Sequence, residues 1–189
     1  MHEIYQKYID NQLVGIMLYE QLSNCMDFLG FEGYKREFEY YHFEETIERK
    51  HFMRYYINHY SKLLKDQQIN QIEIIPSQYY NYEREDITKE YKMKYLKESF
   101  LTLREYYINT IELLNQLIKD LVNKNVIQDM YIFKDRLECY CQRLKYLDRH
   151  LMHLEDIGYN INTIKTFIQP ELHEQYRNKM KEKYNVEYC

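Results

Sequence analysis

Three carboxylates stand within five residues of a long helical pattern, in the segment EETIE at positions 44–48. Glu45 and Glu48 are one turn apart, a spacing that lets two helical side chains reach the same ligand. The helical register places both in line with aromatic residues on either side: Phe38, Tyr41, Phe52 and Tyr55. The pattern therefore predicts that Glu45 and Glu48 point into the protein, whereas Glu44 is rotated by about 100° toward a flank.

Oxygen-bearing side chains also fall on or beside the core stripes of the other long helical segments. They are Gln12 in the first, Glu105 in the third and Glu138 in the fourth. Several ionised carboxylates in a low-dielectric interior repel one another, so such a cluster needs compensating positive charge. Two metal ions would supply it, in the manner of the glutamate-rich ligand sets of di-iron bundles. We therefore expect an intra-bundle metal site at Gln12, Glu45, Glu48, Glu105 and Glu138.

Each of these residues also has a plainer interpretation. On helices this rich in charge, a single glutamate such as Glu105 is more often solvated than buried. Tyr19 is more often a core tyrosine with a satisfied hydroxyl, and Cys141 more often a small core residue than a ligand. The histidines of these segments are expected on flanks or on the surface: His51, His150 and His153.

Composition excludes several functional classes. The 189 residues suit one domain with a substantial core. A formal net charge of −4 disfavours a nucleic-acid partner held by a basic surface. We find no apolar run that reads as a signal peptide or a membrane span, so we expect a cytoplasmic protein without membrane contact. The four cysteines lack CxxC spacing and are expected to be free thiols.

Long helices must position the candidate ligands. With only 4 glycines and 2 prolines, few residues interrupt the chain. Helical periodicity covers residues 3–28, 34–66, 87–122 and 128–156, and a shorter helix is expected at about residues 160–184. These segments far exceed the globular mean of ~11–12 residues, and helices of that length need a continuous partner. The sequence therefore predicts an all-α four-helix bundle.

The connections predict how the bundle is wired. The first and third joins are short, whereas the second, around Pro76, is long enough to cross the length of the bundle. Two antiparallel helix pairs joined by one long crossover is the ferritin-like arrangement. We assign residues 1–158 to this bundle and residues 159–189 to a C-terminal fifth helix with a charged tail.

The segment LYEQLSNCMDFLGFEG at 18–33, followed by EETIE, resembles bacterial-type non-haem ferritins. The likeness lies in the Leu-Tyr-x-Gln-x-Ser run, the Phe-Glu-Gly turn and the Glu-Glu pair of the second helix. Farther on, NQIEIIPSQYY resembles the crossover loop of that family, and LREYYINTIELLNQL resembles its third helix. The resemblance covers about residues 8–158.

This resemblance implies a homo-oligomeric cage of 24 subunits that oxidises Fe(II) with oxygen or peroxide and stores iron. Glu45 would bridge two irons in each subunit, and Glu48 stands where the family has a ligand histidine. Glu105 would hold the second iron, and Glu138 stands at the family's variable glutamine or glutamate. Tyr19 would be the tyrosine beside the site, a candidate catalytic electron donor. Manganese is the alternative metal, because the ligand shell is rich in oxygen.

Three positions depart from the family's pattern. Gln12 stands in place of the first-helix glutamate, Glu48 in place of the histidine, and Cys141 in place of the last glutamate. A gapped alignment would make Glu48-x-x-His51 the motif, but it takes both residues off the helical register. The alternatives to a ferroxidase are a structural ferritin-like bundle with a degenerate metal centre and a di-iron oxidase or peroxidase that forms no cage. The fold alone does not choose among them.

Overall fold

The computed structural model describes residues 1–65 and 87–185, and the elements in those ranges are all helical. Four long helices come first: α1 (His2–Leu29), α2 (Glu32–Tyr60), α3 (Lys89–Asn123) and α4 (Ile127–Asp156). A helical C-terminal arm follows, made of α5 (Ile161–Thr163), a π-helical segment (Ile164–Ile168) and α6 (Gln169–Tyr184). The predicted all-α class is confirmed, and the long helices pack as a bundle.

Local sequence signals set the ends of the helices. α1 ends at Gly30, whose φ of 78° is the left-handed conformation that glycine adopts without steric cost. Thr88 caps the start of α3 by accepting the Tyr91 N–H at 3.3 Å. α2 ends at Tyr60 rather than near residue 66 as predicted, because Ser61 turns to a φ of 52°. No glycine or proline marks that point, so periodicity alone could not locate it.

Side-chain contacts fix the direction of each long helix. α1 runs antiparallel to both α2 and α3, and α4 runs antiparallel to α3. α2 and α3 therefore run in the same direction. The pairs that establish this are His2 with Tyr56, Ser23 with Lys35, Asn11 with Thr110, Cys25 with Ser99, Lys97 with Glu155 and Tyr106 with Tyr140.

Aromatic rings fill the core between the helices. Near one end of the bundle, four rings from three helices meet with centroids 4.7–5.5 Å apart: Tyr5, Tyr8, Phe52 and Phe133. Burying a large apolar side chain contributes about 1.5–3 kcal/mol relative to leaving it exposed. This aromatic layer holds α1, α2 and α4 in a fixed register. It lies one to two turns from Glu48, so it also fixes how these three helices are placed around the candidate ligands.

The C-terminal arm begins by capping α2. Gln169 Oε1 accepts the N–H groups of Gly33 at 2.7 Å and Tyr34 at 3.2 Å. These amides belong to the first turn of α2, where backbone donors have no partner within the helix. A Cβ on Gly33 would lie 2.4 Å from the Gln169 carbonyl oxygen, so glycine permits this close approach. Sequence reasoning placed the fifth helix correctly but did not find its docking site.

The rest of the arm lies along α2. Tyr176 donates to Glu37 at 2.9 Å, and Lys183 bonds Glu44 about two turns farther on. The arm therefore lies along α2 from its first turn to Glu44, the residue before Glu45.

Among the described helices, none combines the length and apolar character needed to cross a bilayer. The crossover around Pro76 and the last cysteine, Cys189, fall outside the described residues.

Candidate functional site

Glu45 lies inside the bundle, as its register predicted. Its side chain is 1% exposed, and it shares the buried face of α2 with Phe38, Phe52 and Tyr56. Glu48, one turn farther along, is half-buried. An ionised carboxylate at the depth of Glu45 requires a close positive partner or several hydrogen bonds.

That partner is Arg143 of α4. Its Nη1 donates to Glu45 Oε1 at 2.5 Å, and its Nη2 donates to Glu44 Oε2 at 3.1 Å. The guanidinium is itself buried and lies over the rings of Tyr41 and Tyr140, at 4.8 and 5.3 Å from their centroids. A planar guanidinium suits this position, because its fork can serve two carboxylates while its faces stack on aromatic rings.

A second arginine repeats the arrangement at Glu48. Arg136 lies seven residues before Arg143, so both project from the same face of α4 two turns apart. Arg136 forms an ion pair with Glu48. We call Glu44, Glu45, Glu48, Arg136 and Arg143 the carboxylate–arginine centre.

The formal charges of this region balance. Lys183 of the C-terminal arm adds a third cation by pairing with Glu44. Three carboxylates thus face three cations: Glu44, Glu45 and Glu48 against Arg136, Arg143 and Lys183. From the sequence, we expected metal ions to balance the charge of the buried carboxylates. In the structure, the cationic side chains of Arg136, Arg143 and Lys183 balance it.

The ionisation behaviour agrees with paired charges. Burial alone would lower the pKa of Arg143, but the neighbouring Tyr19 and Glu45 raise it well above its usual value. For Glu44, burial opposes ionisation, yet hydrogen bonds from Lys183 and Tyr40 bring its pKa below the usual value. Arg143 and Glu44 therefore stay charged.

Several polar atoms near the centre have no hydrogen-bond partner among the described residues. They are both amide atoms of Gln12, the Oε2 atom of Glu45 and the Tyr8 hydroxyl. Gln12 is fully buried, one turn beyond Tyr8 on α1. Buried groups of this kind are normally satisfied by protein or by ordered water. The interior thus retains polar capacity beyond its ion pairs.

Glu105 and Glu138 do not join this region, contrary to the expectation that they point inward. Both are exposed. Glu105 lies two residues, or about 200°, from Leu103 and Tyr107 on the buried face of α3. Glu138 is displaced in the same way from Tyr140 on α4, and it accepts a bond from the nearby Gln142 at 3.3 Å. The expected ligand set is therefore not assembled in this structure.

Tyr19 lies beside the carboxylate–arginine centre. Its hydroxyl donates to Tyr107 at 2.9 Å and accepts from Arg143 at 3.4 Å. Burial raises the pKa of Tyr19 well above its usual value. Tyr19 is thus a neutral phenol linked directly to the arginine that holds Glu45.

The other candidate ligands take no part. Cys141 and His51 are exposed. His150, expected at the surface, is instead half-buried, with its Nε2 2.8 Å from the Tyr34 hydroxyl. Burial lowers the pKa of His150 to about 4, so it is neutral at pH 7. The sequence did not reveal this contact, because Tyr34 is 116 positions away from His150.

Sequence reasoning missed the two arginines. Arg136 and Arg143 follow the core residues Phe133 and Tyr140 by three positions, and this spacing was available as a signal. Arginine on a core stripe is normally assigned to a solvated edge, and nothing local reveals that carboxylates face it.

The described residues do not fit a di-iron centre. Within 1–65 and 87–185, no three His, Cys, Asp or Glu side chains come together as a metal-binding group. Glu45 and Glu48 already have cationic partners, and two expected ligands are exposed.

No protein-family model, curated protein or solved structure matches this chain.

Proposed function

We propose that this protein is a ferritin-like bundle with a degenerate metal centre, serving as a structural subunit rather than as a ferroxidase. The observation that carries the proposal is the guanidinium of Arg143 between Glu44 and Glu45. Arg136 supports it by pairing with Glu48. A cation that would bind there must displace charge-assisted hydrogen bonds, which are about twice as strong as neutral ones.

Helix directions support the ferritin-like part of the proposal. Because α2 and α3 run in the same direction, the end of α2 at Tyr60 and the start of α3 at Lys89 lie at opposite ends of the bundle. α2 has 29 residues and is therefore about 43 Å long. A long crossover between the second and third helices, as in ferritin-like folds, would span that distance.

Self-association is the partner relationship we propose. Large apolar side chains are exposed on the described surface, with Leu63 at 75%, Phe167 at 69% and Met152 at 65%. A second copy of the chain would cover some of them. A 24-subunit cage would have 24 times the chain mass of 23.8 kDa, which light scattering measures directly. Cytoplasmic location stays a prediction from the sequence.

Fe(II) oxidation is the second candidate function. The observation that favours it is the unpartnered Glu45 Oε2 beside the helix that carries Gln12, whose amide is also unpartnered. Iron, as substrate, would require Arg136 and Arg143 to release Glu48 and Glu45. Carboxylate and amide oxygens would then be available for iron or manganese.

Aerobic Fe(II) titration of metal-free protein distinguishes the two functions. The test compares wild type with the variant Glu45→Gln/Glu48→Gln, which keeps side-chain volume but removes both candidate carboxylate ligands. We expect both proteins to match the oxidation rate of buffer, followed by ultraviolet absorbance. A matched control is Glu105→Gln/Glu138→Gln, which changes two exposed glutamates. Fast oxidation that saturates near two irons per chain and is lost only in the first variant would overturn the structural assignment.

A further inference from the structure

Five tyrosines form a continuous line of contacts from α4, through the core, to the C-terminal arm. The rings of Tyr140 and Tyr107 have centroids 5.9 Å apart, and the Tyr107 and Tyr19 hydroxyls are 2.9 Å apart. Ring centroids are 5.6 Å apart for Tyr19 and Tyr41, and 5.9 Å apart for Tyr41 and Tyr176. We call these residues the tyrosine line. They are in direct contact from one member to the next, which is the condition for short electron-transfer steps.

The outer end of the line has a proton acceptor. Tyr176 donates to Glu37 Oε1 at 2.9 Å and lies 3.2 Å from the Tyr41 hydroxyl. A tyrosine that loses an electron becomes a strong acid, so its oxidation is favoured where a base accepts the phenolic proton. Burial raises the pKa of Glu37 to about 7, which makes its carboxylate a stronger base than an exposed one.

The inner members lack this advantage. Among the described residues, Tyr19 donates to Tyr107, and the Tyr140 hydroxyl is paired with that of Tyr106 at 3.2 Å. These partners are phenols, which accept protons poorly. The Arg143 cation over the ring of Tyr140 further disfavours a positive charge there.

Charge at the outer end does not cancel the effect of the base. The Lys179 ammonium lies 4.3 Å from the centroid of the Tyr176 ring and opposes oxidation of that ring. Lys179 is only half-buried, so water screens its charge more than it screens Arg143. Transfer of the proton to Glu37 also leaves a neutral radical beside a neutral acid, with no buried charge created.

We propose that the tyrosine line relays one-electron oxidation from the middle of α4 to the Tyr176–Glu37 pair. An outer-sphere one-electron oxidant near Tyr140 is reduced by one electron. Electrons then move from one tyrosine to the next, in the direction from Tyr176 to Tyr140. The oxidised residue at the end of these steps is Tyr176. There the O–H bond breaks, its proton binds the Glu37 carboxylate, and a neutral Tyr176 radical remains. This role does not depend on the function proposed above.

A photo-oxidant attached to Cys141 tests the relay. Cys141 is exposed and adjacent to Tyr140, whereas Cys25 is buried. Cys139→Ser and Cys189→Ser direct a ruthenium polypyridyl label to this thiol in the full chain. A flash with an external electron acceptor generates the Ru(III) oxidant, and electron paramagnetic resonance records tyrosyl radicals. We expect a long-lived radical that is lost in Tyr176→Phe and in Tyr41→Phe, which interrupts the line.

Two further variants make the result decisive. Glu37→Gln retains a hydrogen-bond acceptor but not the base, so we expect the long-lived radical to be lost there as well. Tyr60→Phe is the matched control, because Tyr60 also donates to a carboxylate, that of Asp129, but lies beyond Phe52 and Phe133 at the other end of the bundle. Circular dichroism confirms folding, and if Tyr176→Phe is unfolded, Tyr41→Phe and Glu37→Gln decide. A wild-type radical that survives in these variants, or is reduced equally by Tyr60→Phe, would overturn the proposal.

Discussion

At the residue scale, the interior charge balance rests on Arg143. It is the only described cation that reaches both Glu44 and Glu45. Removing one member of a buried ion pair leaves an uncompensated charge, whereas removing both is often neutral. A single substitution is therefore expected to lower stability more than the double substitution does.

We expect Arg143→Met to lower the free energy of unfolding by about 3–5 kcal/mol, because it leaves Glu45 buried without its partner. The double variant Arg143→Met/Glu45→Gln should recover much of that loss. Urea denaturation measures both values. Equal losses in the single and double variants would show that the ion pair does not govern stability here.

Arg104 provides the matched control for this experiment. It forms an ion pair with Asp148 at 2.6 Å, but both side chains are 42% exposed. Exposed ion pairs contribute about 0–1 kcal/mol, so Arg104→Met should lower stability by no more than that.

Glu37 gives a pH dependence with a definite sign. Burial raises its pKa from 4.5 to about 7 in the folded protein, so the folded state binds the proton more tightly than the unfolded state. The contribution of Glu37 to stability is therefore fully present below about pH 4.5 and is lost as pH rises through 7. The polar groups that face Glu37 from the packed elements are Tyr176 and Lys179 of α6, Tyr107 of α3, and Arg143, Tyr146 and His150 of α4.

The variant Glu37→Gln isolates this effect. Glutamine cannot ionise, so the stability of wild type relative to the variant should fall between pH 4.5 and 7 and level off above about pH 8. Subtracting the variant also removes the contribution of His150, whose lowered pKa acts in the opposite direction. Urea denaturation across this range measures the difference. A difference that does not change with pH would refute the buried-acid assignment.

The residue scale also shows where the sequence suffices. The helical periodicity of the sequence correctly predicted that Glu45 points into the bundle, because aromatic residues flank it on the same face of α2. The same reasoning failed for Glu105, in a helix whose stripe is less regular, and for Glu138, which was expected at the edge of the α4 stripe; both are exposed. The partners Arg136 and Arg143 come from another helix, and no local pattern encodes that contact.

At the element scale, the C-terminal arm completes α2. The first turn of α2 has no side-chain cap from its own N-cap residue, Phe31. The side chain of Gln169, 136 positions from Gly33, supplies the cap instead. Sequence periodicity predicted both helices and the glycine turn after α1, but a cap of this range depends on tertiary packing.

Gln169→Ala should lower the free energy of unfolding by about 0.5–2 kcal/mol, the range for losing a helix N-cap. The arm should also show faster amide hydrogen exchange. Gln116→Ala is the control, because Gln116 only bridges to Asp120 on the exposed face of α3. It should change stability by less than about 0.5 kcal/mol. Equal effects of the two substitutions would exclude the capping role.

At the scale of the whole molecule, folding should not depend on metal. Ligands that bind only the folded state raise its stability, and chelators remove that contribution. Because side-chain cations balance the interior carboxylates, we expect the same melting temperature with chelator and with added Fe(II) or Mn(II). A melting temperature that falls with chelator would indicate a resident metal.

The bundle class was predictable from helix length and period, because long helices with few interruptions must pack side by side. The chemistry of the interior was not, because it depends on which α4 residues meet α2. The described residues form an all-helical bundle, and a degenerate metal centre is what we propose for its interior.

The most direct test is anomalous X-ray diffraction from crystals grown anaerobically with excess Fe(II), or with Mn(II). We expect no anomalous peak among Gln12, Glu45 and Glu48, with Arg143 still bonded to Glu45. A peak at that position, with Arg136 and Arg143 displaced, would show that the centre binds metal and would restore the di-iron assignment.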